Sequence, residues 1–132
     1  MNIDIYFWIE SDDDFYEKVL EIDPSKKFGT IENRKKMIDG KMQLHGKYWK
    51  SNKLFAQQSE TLELLINDLL TQSHGVIILA QESAISRIFL QIVSRSKTVE
   101  ELSGFYFSSE TLQRLAKLKI AIDIDQVREL KV

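Results

Sequence analysis

Asn2-Ile3-Asp4-Ile5-Tyr6-Phe7-Trp8-Ile9 is the stretch that decides the fold. Ile3, Ile5, Phe7 and Ile9 share one parity, and Asp4, Tyr6 and Trp8 share the other. A period of two marks a β-strand with one buried face. Such a strand needs partners along its edges and a helical layer over its apolar side.

Working outward, Ser11 and three aspartates precede Phe15, Val19 and Ile22. Ser11 suits an N-cap and the aspartates suit the positive end of a helix dipole, so the spacing predicts a helix over 12–21. Asp23-Pro24 ends it, because the residue before proline avoids helical backbone. Residues 24–40 are polar and basic and read as a long loop with a short strand near 28–31. Residues 41–50 alternate again, with Met42, Leu44, Gly46 and Tyr48 against Gln43, His45, Lys47 and Trp49, and Gly46 is a candidate bulge.

Ser59 opens a helix predicted over 59–73, with Leu62, Leu65, Ile66, Leu69 and Leu70 on one stripe and His74-Gly75 as its stop. Val76–Ala80 and residues 86–94 carry apolar side chains without a polar face, as central strands of a sheet covered on both sides do. A loop over 94–104 and a strand over 105–107 follow. Ser108 or Ser109 then caps a last helix with Leu112, Leu115 and Ala116 on one side, and residues 120–125 form a closing strand. The order predicts a single α+β domain over 1–132: a largely antiparallel β-sheet with three helices packed on it.

The chain has 132 residues, 43% of them apolar, which suffices for one core. It has no cysteine, which excludes disulfides, thiolate zinc sites and cysteine nucleophiles. No apolar run approaches the roughly 18 residues of a membrane span, and no basic region precedes an apolar one at the N-terminus. The expectation is a cytoplasmic protein with no membrane partner. The net charge of −2 conceals segregation. Residues 1–23 hold eight acids and one base; residues 24–53 hold nine bases and two acids. Either the surface is electrostatically polar or the two segments lie together and neutralise each other.

Several of these segments resemble the bacterial "domain of unknown function 4279" family. The resemblance rests on the apolar first strand, the Gly40 to Trp49 and Ser51 segment, the leucine-rich helix 59–73 and the strand Arg87–Ser94. It is completed by Ser109, Leu115, Ala116 and Leu118 running into Ile122-Asp123-Ile124-Asp125. Residues 24–40 depart from the family pattern. The resemblance implies a small accessory protein, similar in kind to the immunity proteins of toxin systems, and it supplies no catalytic residue.

Chemical motifs are sparse. There is no Gly-x-Gly-x-x-Gly, no phosphate loop and no His-Glu-x-x-His. His45 and His74 lack a second ligand at helical or hairpin spacing, and Asp12–Asp14 do not match a calcium loop. Asp123 and Asp125 share a strand face, either as a carboxylate pair or as the solvent side of an edge strand. No catalytic residue, metal or cofactor is expected, and the chain is not expected to be an enzyme. The expected function is a protein-binding module, an immunity protein that neutralises a cognate toxin such as a nuclease. Asp12, Asp13, Asp14, Glu17 and Glu21 would form the acidic rim of its interface. Trp8 would be the anchor if exposed, or core if the sheet is covered on both sides. The alternative is a nucleic-acid-binding accessory protein using the basic segment 26–53 with Tyr48, Trp49 and Phe55.

Overall fold

The computed structural model describes residues 2–58, 61–96 and 105–128. The elements in chain order are β1 (Asn2–Glu10), α1 (Asp13–Ile22), β2 (Gly29–Ile38), β3 (Lys41–Ser51), β4 (Leu54–Ala56), α2 (Leu62–Gln81), β5 (Arg87–Ser96), α3 (Ser109–Lys117) and β6 (Ile120–Arg128). Among the described residues the sheet has six strands in the order β2-β3-β1-β5-β6, with β4 also on β1. All pairings are antiparallel except β5 with β6, whose connection contains α3. The expected single α+β domain is therefore present, with a mixed sheet.

β1 lies at the centre because both of its edges are paired. β5 pairs with its whole length, from Asn2 opposite Arg95 to Glu10 opposite Arg87. Its other edge is shared. β3 takes Trp8 and Ile9, and β4 takes Ile3 to Ile5. Between them the ladder is interrupted, and the buried Ser51 hydroxyl accepts the Phe7 amide at 2.8 Å in place of a carbonyl. A buried amide left without a partner would cost about 1–3 kcal/mol.

Ile3, Ile5, Phe7 and Ile9 join Trp49, Ile88, Leu90, Ile92 and Ile120 on the covered side of the sheet. Phe15, Tyr16 and Val19 of α1, Leu115 of α3 and one long stripe of α2 complete this core. All three helices thus serve the same face. Gly29 permits the closest approach in this layer: a Cβ there would lie 2.4 Å from the Lys50 carbonyl oxygen and 2.6 Å from the Trp49 ring.

Several expectations are corrected. Val76–Ala80 is not a strand, because α2 runs on through His74-Gly75 to Gln81. Val76, Ile77 and Ala80 continue the stripe of Leu62, Ile66, Leu69, Leu70 and Ser73 at helical spacing. Burying those side chains outweighs the roughly 1 kcal/mol penalty of one glycine in a helix. Residues 24–40 are not a loop, since β2 occupies Gly29–Ile38 and pairs with β3. Asp39 and Gly40, both with positive φ, make the tight turn between them. Gly46 (φ +102) does lie at a bulge, where the β2–β3 register shifts. The shift places Met42 and Leu44 on the side of Lys47 and Trp49, not of Tyr48. Residues 105–107 form no strand, although Phe105 and Phe107 pack against the core. Leu112 and Ala116 are exposed, which leaves Thr111 and Leu115 as the buried side of α3. The N-cap of α1 is Asp12, not Ser11, and Ser108 caps α3. The expected helix start at 59–60 and most of the expected loop at 94–104 lie outside the described residues. No described helix is long and apolar enough to cross a membrane.

Two substitutions check this packing by chemical denaturation. Ser51→Ala removes the acceptor for the Phe7 amide and should lower stability by about 1–3 kcal/mol. Gly75→Ala should raise it by about 0.5–1 kcal/mol, because the added methyl meets only the Ile22 Cδ1 atom, at an ordinary 3.7 Å.

Candidate functional site

The second face of the sheet carries no described helix. Alternation along β1 places Asp4, Tyr6, Trp8 and Glu10 there, and the β5 register sets Trp8 opposite Phe89 and Tyr6 opposite Gln91. β5 therefore does not have two helix-covered sides as expected, and Phe89 and Val93 are half-buried on the open one. β3 brings Tyr48 and Lys50 to this face. β2 brings Glu32 and Arg34, and β6 brings Asp123 and Asp125.

These side chains form a connected network. The Trp8 and Phe89 rings stack at 4.0 Å with 9° between planes, and Tyr48 stands edge-on to Trp8 at 6.5 Å. The Arg34 guanidinium lies 5.4 Å from the Trp8 ring and 5.8 Å from that of Tyr48. Glu10 pairs with both Arg34 and Arg87, and Arg87 in turn covers Phe89 at 5.3 Å. The Trp8 indole donates to the Gln91 Oε1 atom at 3.3 Å, and the Gln91 amide donates to the Asp123 carbonyl. Lys50 and Lys53 lie over the Tyr6 ring at 4.7 and 5.5 Å, and Arg95 is paired with the buried Asp4 carboxylate at 2.6 Å. A cavity of about 390 Å³ opens between Tyr6, Trp8, Asn33, Arg34, Lys35, Tyr48 and Gln91.

The electrostatics follow from these contacts. The Tyr48 hydroxyl donates to the Glu32 Oε2 atom at 2.6 Å, and this bond, with partial burial, pushes its pKa up to about 12. Burial raises the Tyr6 pKa, and the carboxylates of Asp125, Asp4, Glu32 and Asp123 add to it. Lys50 is shifted down by burial and by Lys53 beside it. Five carboxylates (Asp4, Glu10, Glu32, Asp123 and Asp125) share the face with five cations (Arg34, Lys50, Lys53, Arg87 and Arg95), so it is close to neutral. Among the described residues no group of three or more His, Asp or Glu side chains could hold a metal ion.

The acids singled out in the sequence lie elsewhere. Asp12 caps α1: its carboxylate accepts from the Phe15 amide and the Ser83 hydroxyl, both at 2.9 Å, and the Phe15 bond leads in holding its pKa below the usual range. Asp13, Asp14, Glu17 and Glu21 are exposed on the outer side of α1, and Asp14 pairs with Lys18 at 3.2 Å. Because α1 packs on the covered side of the sheet, Trp8 and these acids belong to opposite sides and form no common surface. Trp8 is neither core nor fully exposed, but half-buried among the aromatic and charged side chains of the open face. Arg34, Tyr48, Phe89 and Gln91 were not legible as its neighbours. β2 has no apolar alternation, and strand order is not written in local periodicity. His74 is exposed on α2. Among the basic segment's aromatics, Trp49 is core, Tyr48 belongs to the open face and Phe55 is exposed on β4.

No family model matches the chain, and no curated protein or solved structure was found to be similar to it.

The Tyr48–Glu32 bond has a measurable signature. Tyr48 stays protonated in the fold above the usual phenol pKa of about 10, so its contribution to stability is complete below that pH and is lost as pH rises towards about 12. In an ultraviolet pH titration, Glu32→Gln should bring one tyrosine back towards the ordinary range, whereas Asp123→Asn should leave that tyrosine near its raised value.

Proposed function

We propose that this chain is a protein-binding module whose recognition surface is the open face of its sheet, and that its partner is a protein toxin which it neutralises by occupying it. The observation that carries the binding reading is Trp8, clamped between Phe89 and Arg34 and tethered to Gln91. Tryptophan, tyrosine and arginine dominate the energetic centres of protein interfaces, and charged residues of both signs suit the rim. Rings already held by neighbours lose little freedom on binding. The near balance of charge also favours a protein over a polyanion, which would require an excess of cations. The aromatic planes are covered by the chain's own arginines and lysines, which leaves less room for base stacking. The choice of a toxin rests on the resemblance carried by the sequence. In this reading the protein acts in the cytoplasm, catalyses nothing and takes no cofactor.

The test is co-expression with the product of the reading frame adjacent to this chain's gene. The wild-type chain should restore growth and bind that product. Trp8→Ala should weaken binding by about 30-fold or more, a loss of at least about 2 kcal/mol, with its thermal midpoint checked in parallel. Reversing Asp13, Glu17 and Glu21 to lysine should leave the affinity within about threefold. If those reversals abolish binding and Trp8→Ala does not, the acidic helix is the interface instead.

A further inference from the structure

β2 and β3 continue past the body of the sheet as a two-stranded ribbon. β1 pairs with β3 only at Trp8 and Ile9, so beyond Asn33 opposite Lys47 no third described strand supports the pair. Residues 35–44 are exposed on both sides. The register places Met37 directly opposite Met42, with Lys35 opposite Leu44 on the same side. Their exposures of 59%, 58% and 67% for Met37, Met42 and Leu44 make an uncovered apolar row. Residues 33–47 also carry five cations and one carboxylate. Arg34 is paired to Glu10, whereas Lys35 and Lys47, on the side of the apolar row, enter no ion pair among the described residues.

A surface of matching chemistry exists on the same chain. Asp13, Glu17 and Glu21 follow one another on successive turns of α1, none with an ion pair among the described residues, and Leu20 beside them is 47% exposed. Across the acidic segment 1–23 and the basic segment 24–53, Glu10–Arg34 is the one ion pair among the described residues. Within a single copy, one direct ion pair thus joins the two segments among the described residues. Helix and ribbon are also neighbours: the Tyr16 hydroxyl of α1 donates to the Lys47 carbonyl at the base of the ribbon, at 2.7 Å.

We infer that the ribbon docks on α1 of a second copy of this chain, in a symmetric pair where each ribbon covers the acidic helix of its partner. Lys35 and Lys47, which share a side of the ribbon with the apolar row, face Asp13, Glu17 and Glu21, and Met37, Met42 and Leu44 cover Leu20. Side-by-side placement of the two surfaces lets one two-fold axis make both contacts at once, which closes the assembly at two copies. Nucleic acid offers phosphates to the lysines but little to an apolar row of three, and an anionic lipid surface leaves the acidic helix unused. The inference is independent of the open-face reading, because neither Trp8 nor its neighbours take part.

The experiment measures molar mass by sedimentation equilibrium of the full chain with two charge-reversed variants. The ribbon variant carries Lys35→Glu and Lys47→Glu, and the helix variant carries Asp13→Lys, Glu17→Lys and Glu21→Lys. The wild type should dimerise, with a dissociation constant that rises roughly tenfold between about 50 mM and 500 mM salt. Each variant alone should be monomeric, because like charges then face each other, and an equal mixture of the two should form dimers again. If either variant fails to fold, Met42→Ser with Leu44→Ser replaces it and should weaken dimerisation by about tenfold or more. A wild type that stays monomeric up to about 0.5 mM overturns the inference. So does a mixture that stays monomeric, or variants that dimerise as the wild type does. A monomeric wild type that binds duplex DNA or anionic vesicles through the ribbon would assign the ribbon to that ligand instead.

Discussion

The amide of Phe7 faces a gap in the ladder. β3 leaves the edge of β1 after Lys50 and β4 takes up that edge at Leu54, so no backbone carbonyl is in place between them. The Ser51 hydroxyl fills the position. This substitution of a side chain for a backbone acceptor lets two separate segments share one edge of a central strand. On the other side of its contact with β3, β1 ends at Glu10, so residues 41–47 of β3 run past it with β2 as a ribbon. β4 can turn back and bring Ala56 against the core ahead of α2.

β1 also separates two kinds of chemistry. Its odd positions enter an apolar layer roofed by all three helices, where shape and area supply the stability. Its even positions join rings, guanidinium groups and carboxylates that satisfy one another without a roof. Arg34, Lys50, Lys53, Arg87 and Arg95 each meet a ring, a carboxylate or both. The resulting surface is ordered while remaining accessible, a combination that flexible lysines and glutamates on an ordinary sheet face do not give.

Much of this was readable from the residues, for definite reasons. The alternation of 2–9 and the stripe of 62–70 are each set by one buried side, and local period reports such elements well. β2 escaped because its end beyond Asn33 has no buried side at all, so its residues show no pattern against solvent. The extension of α2 escaped because a glycine stop and an apolar pentad look alike whether a helix ends or continues. Only the contact of Val76, Ile77 and Ala80 with the sheet decides between them. The open face was half legible. Trp8 lay on the correct parity, but its partners Phe89, Arg34 and Tyr48 come from strands that are distant in sequence. The acidic residues were conspicuous as a run, yet the run is divided by use: Asp12 belongs to the helix cap, and its neighbours to the solvent.

The partner that fixes β1 along its whole length is far away in the chain. Seventy-seven residues separate Glu10 from Arg87, and 93 separate Asn2 from Arg95. During synthesis β1 therefore waits, with an apolar side and an unpaired edge, until β5 has left the ribosome. Long-range pairing of this kind slows folding and prolongs exposure of strands that can pair wrongly. The alternating carboxylate of Asp4 and the acids that follow from Glu10 to Glu21 give this waiting segment a strong negative charge. Nascent copies of the same segment then repel one another, so the charge that shapes the surface of the finished protein also guards its central strand before that surface exists.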